Sequence, residues 1–430
     1  MDTELWLGLS GVLVAVGGLY YAWRALDQAV VRESQEAFVK QRTDLRQRFG
    51  ELCEAAADMH VLARPSLERI GGTSLLWEEA MRPPAPVPLS AVTVEWQAVK
   101  PPVNRPLLEA ARRCLPKESK AHRFERYSAA MGALARPTLF ENRPSFRLVR
   151  TDWSHTEGPR LIFGTGQYFD LIDQNEAVAH ELAVATSRTP AKRPPWRALP
   201  MRRILADDPL LLEKRGVFPS VGTLTLRRTP DGQATFFLLY RESGHVATGE
   251  GTYGPIPAGM VQPASFSPLA HRQDLNLWRT VMREYNEELL GAPEAKGDSG
   301  AEVDYGQPPY SLFNAALADG SLRVWCLGMA LEPLNLAVCL LTVAVFEAAV
   351  FDTIFAEAVE RNEEGIVVSG PRSNGTITGL PLDDASVRAL PVSRMSSPAA
   401  GLLQLALRHR EVLLSDPDQR PGGIGARAGS

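Results

Sequence analysis

Three carboxylates packed into six residues carry the strongest chemical signal in this chain. Within Leu275 to Gly291, LNLWRTVMREYNEELLG, the cluster Arg283-Glu284-x-x-Glu287-Glu288 sets glutamates at i, i+3 and i+4, so a helix would carry all three on one face. Acidic groups crowded in this way repel each other unless a cation, an arginine or water neutralises them. A hard divalent cation answers that need: Mg²⁺ prefers carboxylate oxygens, keeps several waters and bridges a substrate's phosphates. An acidic face is also what a solvated helix carries, since glutamate is a good helix former. Leu277, Val281 and Leu289 fall near a different face, where they would hold the helix against a core.

The elements around this helix give the cluster a context. Thr252 to Ile256 reads as a strand leading into Pro257, Ala258, Gly259 and Met260. Upstream, Gly222 to Arg228 and Ala234 to Tyr240 flank Thr229-Pro230-Asp231-Gly232, a strong hairpin signal. A glycine-containing loop after a strand, followed by R-E-x-x-E-E on a helix, resembles the Nudix box of hydrolases that cleave nucleoside diphosphates linked to another group. The resemblance implies an α/β fold, a Nudix-like α/β/α sandwich with a mixed sheet, over residues 216–414. It also implies Mg²⁺ (or Mn²⁺) held by Glu284, Glu287 and Glu288, with Arg283 holding a glutamate in place. Glu287 or Glu288 would serve as general base, and Gly259 would let backbone approach a nucleotide-type small molecule. Glu363 and Glu364 occupy the region where such domains bring a further carboxylate.

The match has two departures. The insert between Gly259 and Arg283 is longer than the family's and has only Asp274 where a midway glutamate is usual, and Leu289 and Leu290 delay the closing glycine to Gly291. Beside Mg-dependent hydrolysis, a second expectation is therefore a weak or inactive nucleotide-binding sensor. Such a protein resembles the membrane-linked Nudix effectors found beside bacterial cyclic-oligonucleotide synthases in antiphage defence. A third is a scaffold in which the acidic face stays idle.

Composition bounds these readings. A chain of 430 residues has room for two domains. The net charge of −4 gives no reason to expect nucleic-acid binding. Cys53, Cys114, Cys326 and Cys339 show neither C-x-x-C spacing nor a nearby histidine pair, so zinc and a disulfide framework are not indicated.

In chain order, Leu5 to Trp23 is an uncharged apolar run of bilayer-spanning length, which predicts a transmembrane anchor within residues 1–24. Arg24, Arg32, Lys40, Arg42, Arg46 and Arg48 follow it, so the bulk of the chain should face the cytoplasm of a single-pass membrane protein. A stripe of Gly8, Gly11, Ala15, Gly18, Ala22, Ala25 and Ala29 would let two such helices form a homodimer. Residues 25–64 read as a juxtamembrane helical stalk whose apolar face, from Phe38 to Met59, pairs with a second copy or packs on its own domain. Residues 65–215 form a mixed α/β region of unknown role, with a strand from Ala91 to Val99, a helix from Leu107 to Ala135, strands Phe146 to Trp153 and Arg160 to Phe163, and a helix from Asn175 to Ala185. Gly164 and Gly166 suggest a tight turn, and the basic segment Arg188 to Arg203 a solvated linker. Arg323 to Ala330 and Leu336 to Phe346 are apolar enough for buried strands, Phe351 to Glu360 and Ser397 to Leu414 should be helices, and residues 415–430 a disordered tail.

Overall fold

The two most apolar stretches of the chain form the centre of the fold. In the computed structural model, Leu322–Leu331 and Val338–Glu347 pair antiparallel, and all but the last of their residues are buried. Strands covered on both faces read as continuous apolar runs, which is why these two were visible in the sequence. The structure describes residues 3–138, 140–188, 193–208, 210–242, 251–293, 302–362, 365–370 and 377–415, without the side chains of residues 3–21 and 188.

Val338–Glu347 runs parallel to Ser220–Arg228, and Thr342 meets Thr223 across the pair through a hydroxyl hydrogen bond of 2.7 Å. Ser220–Arg228 then turns through the expected hairpin into Ala234–Phe236, with Gly232 at φ +81° in the turn. Ala258–Met260 also pairs with Ser220–Arg228, antiparallel, so the sheet is mixed. A second, three-stranded sheet has Leu238–Arg241 at its centre, between Tyr253–Pro255 and Gly365–Val368. In a third, Arg160–Gln167 lies parallel to Thr93–Trp96 and antiparallel to Pro144–Asp152. The mixed α/β class is as expected.

Helix Thr3–Gln47 includes Leu5 to Trp23, yet among the described residues no helix is long and apolar enough to cross a membrane. The side chains of Leu5 to Tyr21, on which the expected span rests, lie outside those described. The expected stalk is not a free rod either. Phe38, Leu45, Leu52, Ala56 and Met59 are buried within this same chain, the last four of them with Ala179, Leu182 and Ala183 of helix Tyr168–Arg188. The second helix of the stalk, Phe49–Ala63, stops two residues before Pro65, as the proline dictates.

Three further expectations change. The helix over Leu107 to Ala135 is split into Arg105–Ala111 and Tyr127–Leu134, because Pro116 cannot continue a helix and its carbonyl instead accepts from the Phe124 amide. Gly164 and Gly166 lie inside the strand Arg160–Gln167 and make no turn; at Gly166 a side chain would overlap the Phe218 ring, so the glycine serves close packing. Arg202, expected in a solvated linker, is fully buried and donates to the carbonyls of Pro333 (2.6 Å) and Val178 (3.4 Å) beside His60. Residues 189–192 of that segment, Glu363, Glu364 and the tail beyond Ser415 lie outside the described residues.

Candidate functional site

The helix that carries the acids spans Leu277–Glu288 and begins at Asn276, whose side chain accepts from the Arg279 amide at 3.0 Å. Its apolar residues Leu277, Val281, Met282 and Tyr285 are buried, with Leu289 just past its end. Tyr285 fixes the rotation of the helix. Its ring stacks on Phe313 at 5.3 Å, and its hydroxyl meets Thr225 Oγ1 of the central strand at 2.7 Å. With that face anchored, Glu288, three places on, is buried on the same side of the helix, while Glu284 and Glu287 are partly exposed. Gly291, at φ +71°, closes the turn after the helix.

The acids do share one cavity. A space of about 630 Å³ is lined by Glu284, Glu287 and Glu288, by Arg283 and by Gly259. Glu284 and Glu287 are partly exposed, whereas Glu288 is 2 % exposed and accepts from the Ala258 amide at 3.3 Å. Gly259 sits in the strand Ala258–Met260 opposite Val221, and not in a loop as its sequence context implied. A Cβ at this position would overlap the Glu284 carboxylate. The glycine is thus what lets a carboxylate lie against backbone.

Arg283 has a defined set of partners. Its guanidinium donates to the Tyr305 hydroxyl and the Gln262 carbonyl, each at 2.6 Å, and forms an ion pair with Asp274 Oδ1 at 3.3 Å. Tyr305 in turn donates to Asp274 Oδ1 at 2.7 Å, and Asp274 Oδ2 accepts from the Ala264 amide at the same distance. Burial works against the Arg283 charge, but Tyr305 and Asp274 outweigh it and raise its pKa. This network ties the long insert after Gly259 to the helix, so Asp274 has a structural partner in the box region. The arginine was placed beside a glutamate by resemblance; the structure pairs it with this aspartate.

For a metal ion, the donor chemistry fits: carboxylate oxygens from one helix beside a glycine cradle suit a hard cation. Among the described residues no three or more His, Cys, Asp or Glu groups stand close enough to hold an ion.

The rest of the cavity comes from the region whose role the sequence left open. Arg136, Phe140, Arg143, Tyr168 and Asn175 line it, as do Arg241 and Asn335 from the sheet domain. Tyr168 and Asn175 lie on helix Tyr168–Arg188, and Arg143 precedes the strand Pro144–Asp152. The wall thus holds arginines and aromatics facing an acidic face. Sequence reasoning missed these residues because no local spacing marks them.

Helix Tyr168–Arg188 also clamps the N-terminal helix. Arg42 donates to Glu176 (2.9 Å) and to the Tyr127 hydroxyl (3.0 Å), and that hydroxyl meets His180 Nδ1 at 3.1 Å. Next to His180, Glu181 accepts from the Met201 and Arg202 amides at 2.7 and 3.1 Å. A search of family models finds none that matches this chain, and no curated protein matches it either.

Proposed function

We propose that the cavity binds a nucleoside diphosphate linked to another group and hydrolyses it in a Mg²⁺-dependent manner, as a Nudix-like domain would. The observation that carries this reading is the convergence of Glu284, Glu287 and Glu288 with Gly259 in one cavity beside a mixed sheet. Glu284, Glu287 and Glu288 would hold Mg²⁺ or Mn²⁺, which when bound neutralises phosphate charge and makes a bound water more acidic. The chain's own contribution is positional. Arg283, fixed by Asp274 and Tyr305, ties the middle of the helix to the Gln262 carbonyl just beyond the Gly259 strand. Glu287, partly exposed on the cavity wall, is the better placed of the two candidate general bases to reach a water, because Glu288 is buried.

A ligand sensor is the second reading. The helix that walls the cavity with Tyr168 and Asn175 grips the N-terminal helix one residue later, through Glu176. In this reading a bound nucleotide shifts the N-terminal helix without being cleaved, and the apolar Leu5 to Trp23 segment tethers the protein to a membrane, with dimerisation through the small-residue stripe.

Incubating the full chain with Mg²⁺ and a panel of sugar nucleotides, dinucleotides and cyclic oligonucleotides separates the two. The full chain is needed because removing residues before Ala63 would uncover Leu182 and Ala183. Turnover lost in Glu287→Gln supports the hydrolase; saturable binding without products supports the sensor; neither binding nor turnover overturns both.

A further inference from the structure

Asn175 stands out on the cavity wall. It lies on helix Tyr168–Arg188, is 3 % exposed, and its side-chain oxygen has no hydrogen-bond partner. A buried carboxamide oxygen without a donor costs the fold about 1–3 kcal/mol and so calls for an explanation, and at a cavity wall a bound group that donates to it is one. Its neighbours on the wall fit a flat ligand. Tyr168 is half-buried seven residues, about two helical turns, earlier in the same helix, and Leu171, four residues before Asn175, is on its face. Arg143 supplies positive charge near the same helix start, where its carbonyl accepts from the Tyr168 amide at 2.8 Å.

We infer that Asn175 reads the hydrogen-bonding edge of a nucleobase, so that residues 136–175 form the base-recognition half of a site whose other half is the acidic helix. A carboxamide offers an acceptor beside a donor, the pattern that pairs with a base edge carrying an N–H next to a ring nitrogen or carbonyl. An aromatic ring and an aliphatic wall alongside suit the base's faces. This inference rests on the nucleotide reading given above and adds a specificity residue to it. It also assigns a role to a region that carries none of the box.

Calorimetric titration of the full chain in Mg²⁺ with ADP, GDP, CDP, UDP and inorganic pyrophosphate tests it. The wild type should prefer one nucleoside diphosphate, and Asn175→Ala should weaken that ligand about 10-fold, removing the preference. Pyrophosphate affinity should stay the same in Asn175→Ala and fall in Glu288→Gln. Equal affinities for the four nucleoside diphosphates in the wild type, or an intact preference in Asn175→Ala, would overturn the inference while a Glu288-dependent pyrophosphate site keeps the nucleotide reading. No diphosphate binding at all would sink both. Should Asn175→Ala not fold by its melting curve, Asn175→Ser makes the same comparison with a small polar group.

Discussion

The carboxylate of Glu284 lies against the α-carbon of Gly259, in the space that a Cβ at position 259 would take. Strand and helix approach each other there because one partner has no side chain, and the approach brings the Ala258 amide within 3.3 Å of Glu288. One glycine therefore sets the position of two of the three acids.

Gly259→Ala should push the helix and strand apart. The expected cost is about 1–3 kcal/mol, the usual penalty for overfilling a packed contact, read as a lower denaturation midpoint. Adding Glu284→Ala should recover most of it, because the overlap is with that side chain, and a double-mutant cycle would give a coupling energy of favourable sign. Additive losses would show that the two residues do not meet.

Asp274→Ala should destabilise the protein by about 3 kcal/mol, since it leaves the buried Arg283 guanidinium without its carboxylate. Tyr305→Phe should cost less, about 1–2 kcal/mol, because it removes one hydroxyl and leaves the ion pair. Urea unfolding of both variants gives the order.

Arg42→Ala should cost about 3–5 kcal/mol by stranding Glu176, whose side chain is 3 % exposed in the ion pair. Replacing both partners with apolar residues, Arg42→Met with Glu176→Leu, should cost less than Arg42→Ala alone. The comparison by chemical denaturation also reports whether the N-terminal helix stays docked.

Acid should weaken the fold through its buried histidines. Burial, and then the Arg42 charge, pushes His180 from 6.5 down to about 3, and burial with Arg202 and Arg215 lowers His60 in the same direction. A histidine with a depressed folded value takes up its proton first in the unfolded chain. Its stabilising effect is present above 6.5 and is lost as the pH falls below it. His180→Gln should therefore flatten the fall in stability between pH 6.5 and about pH 5 by up to about 1.4 kcal/mol per pH unit, the limit for one proton. An unchanged slope would show that His180 is charged in the folded protein.

What could be read in the sequence was local. The apolar runs ending at Ala330 and Phe346 became the central strands, and Thr229 to Gly232 became the hairpin turn; the two faces expected of the site helix are not separate, because Glu288, seven residues after Val281, is buried on the same side. What could not be read depends on contacts between distant parts. The apolar face from Phe38 to Met59 says that something covers it, but only the fold shows that helix Tyr168–Arg188 of the same chain does so. Asn175 and Tyr168 reach the cavity from more than a hundred residues before the glutamates, and neither has a spacing that announces it. Asp274 was noted as the sole acid of the insert, and its ion pair with Arg283 follows from how that insert folds back. Pro116 explains why the helix expected over Leu107 to Ala135 is two, and the helix expected from Phe351 to Glu360 ends at Ile354.

The claim on which the functional account depends is that the acidic helix face holds a divalent cation in this cavity. Electron paramagnetic resonance of Mn²⁺ titrated into the full chain, compared with the Glu284→Gln, Glu287→Gln, Glu288→Gln triple variant at matched melting temperature, tests it directly. The account predicts saturable Mn²⁺ binding, competed by Mg²⁺ and absent from the triple variant. Binding that is the same in both proteins, or missing from both even with a nucleoside diphosphate present, would contradict it.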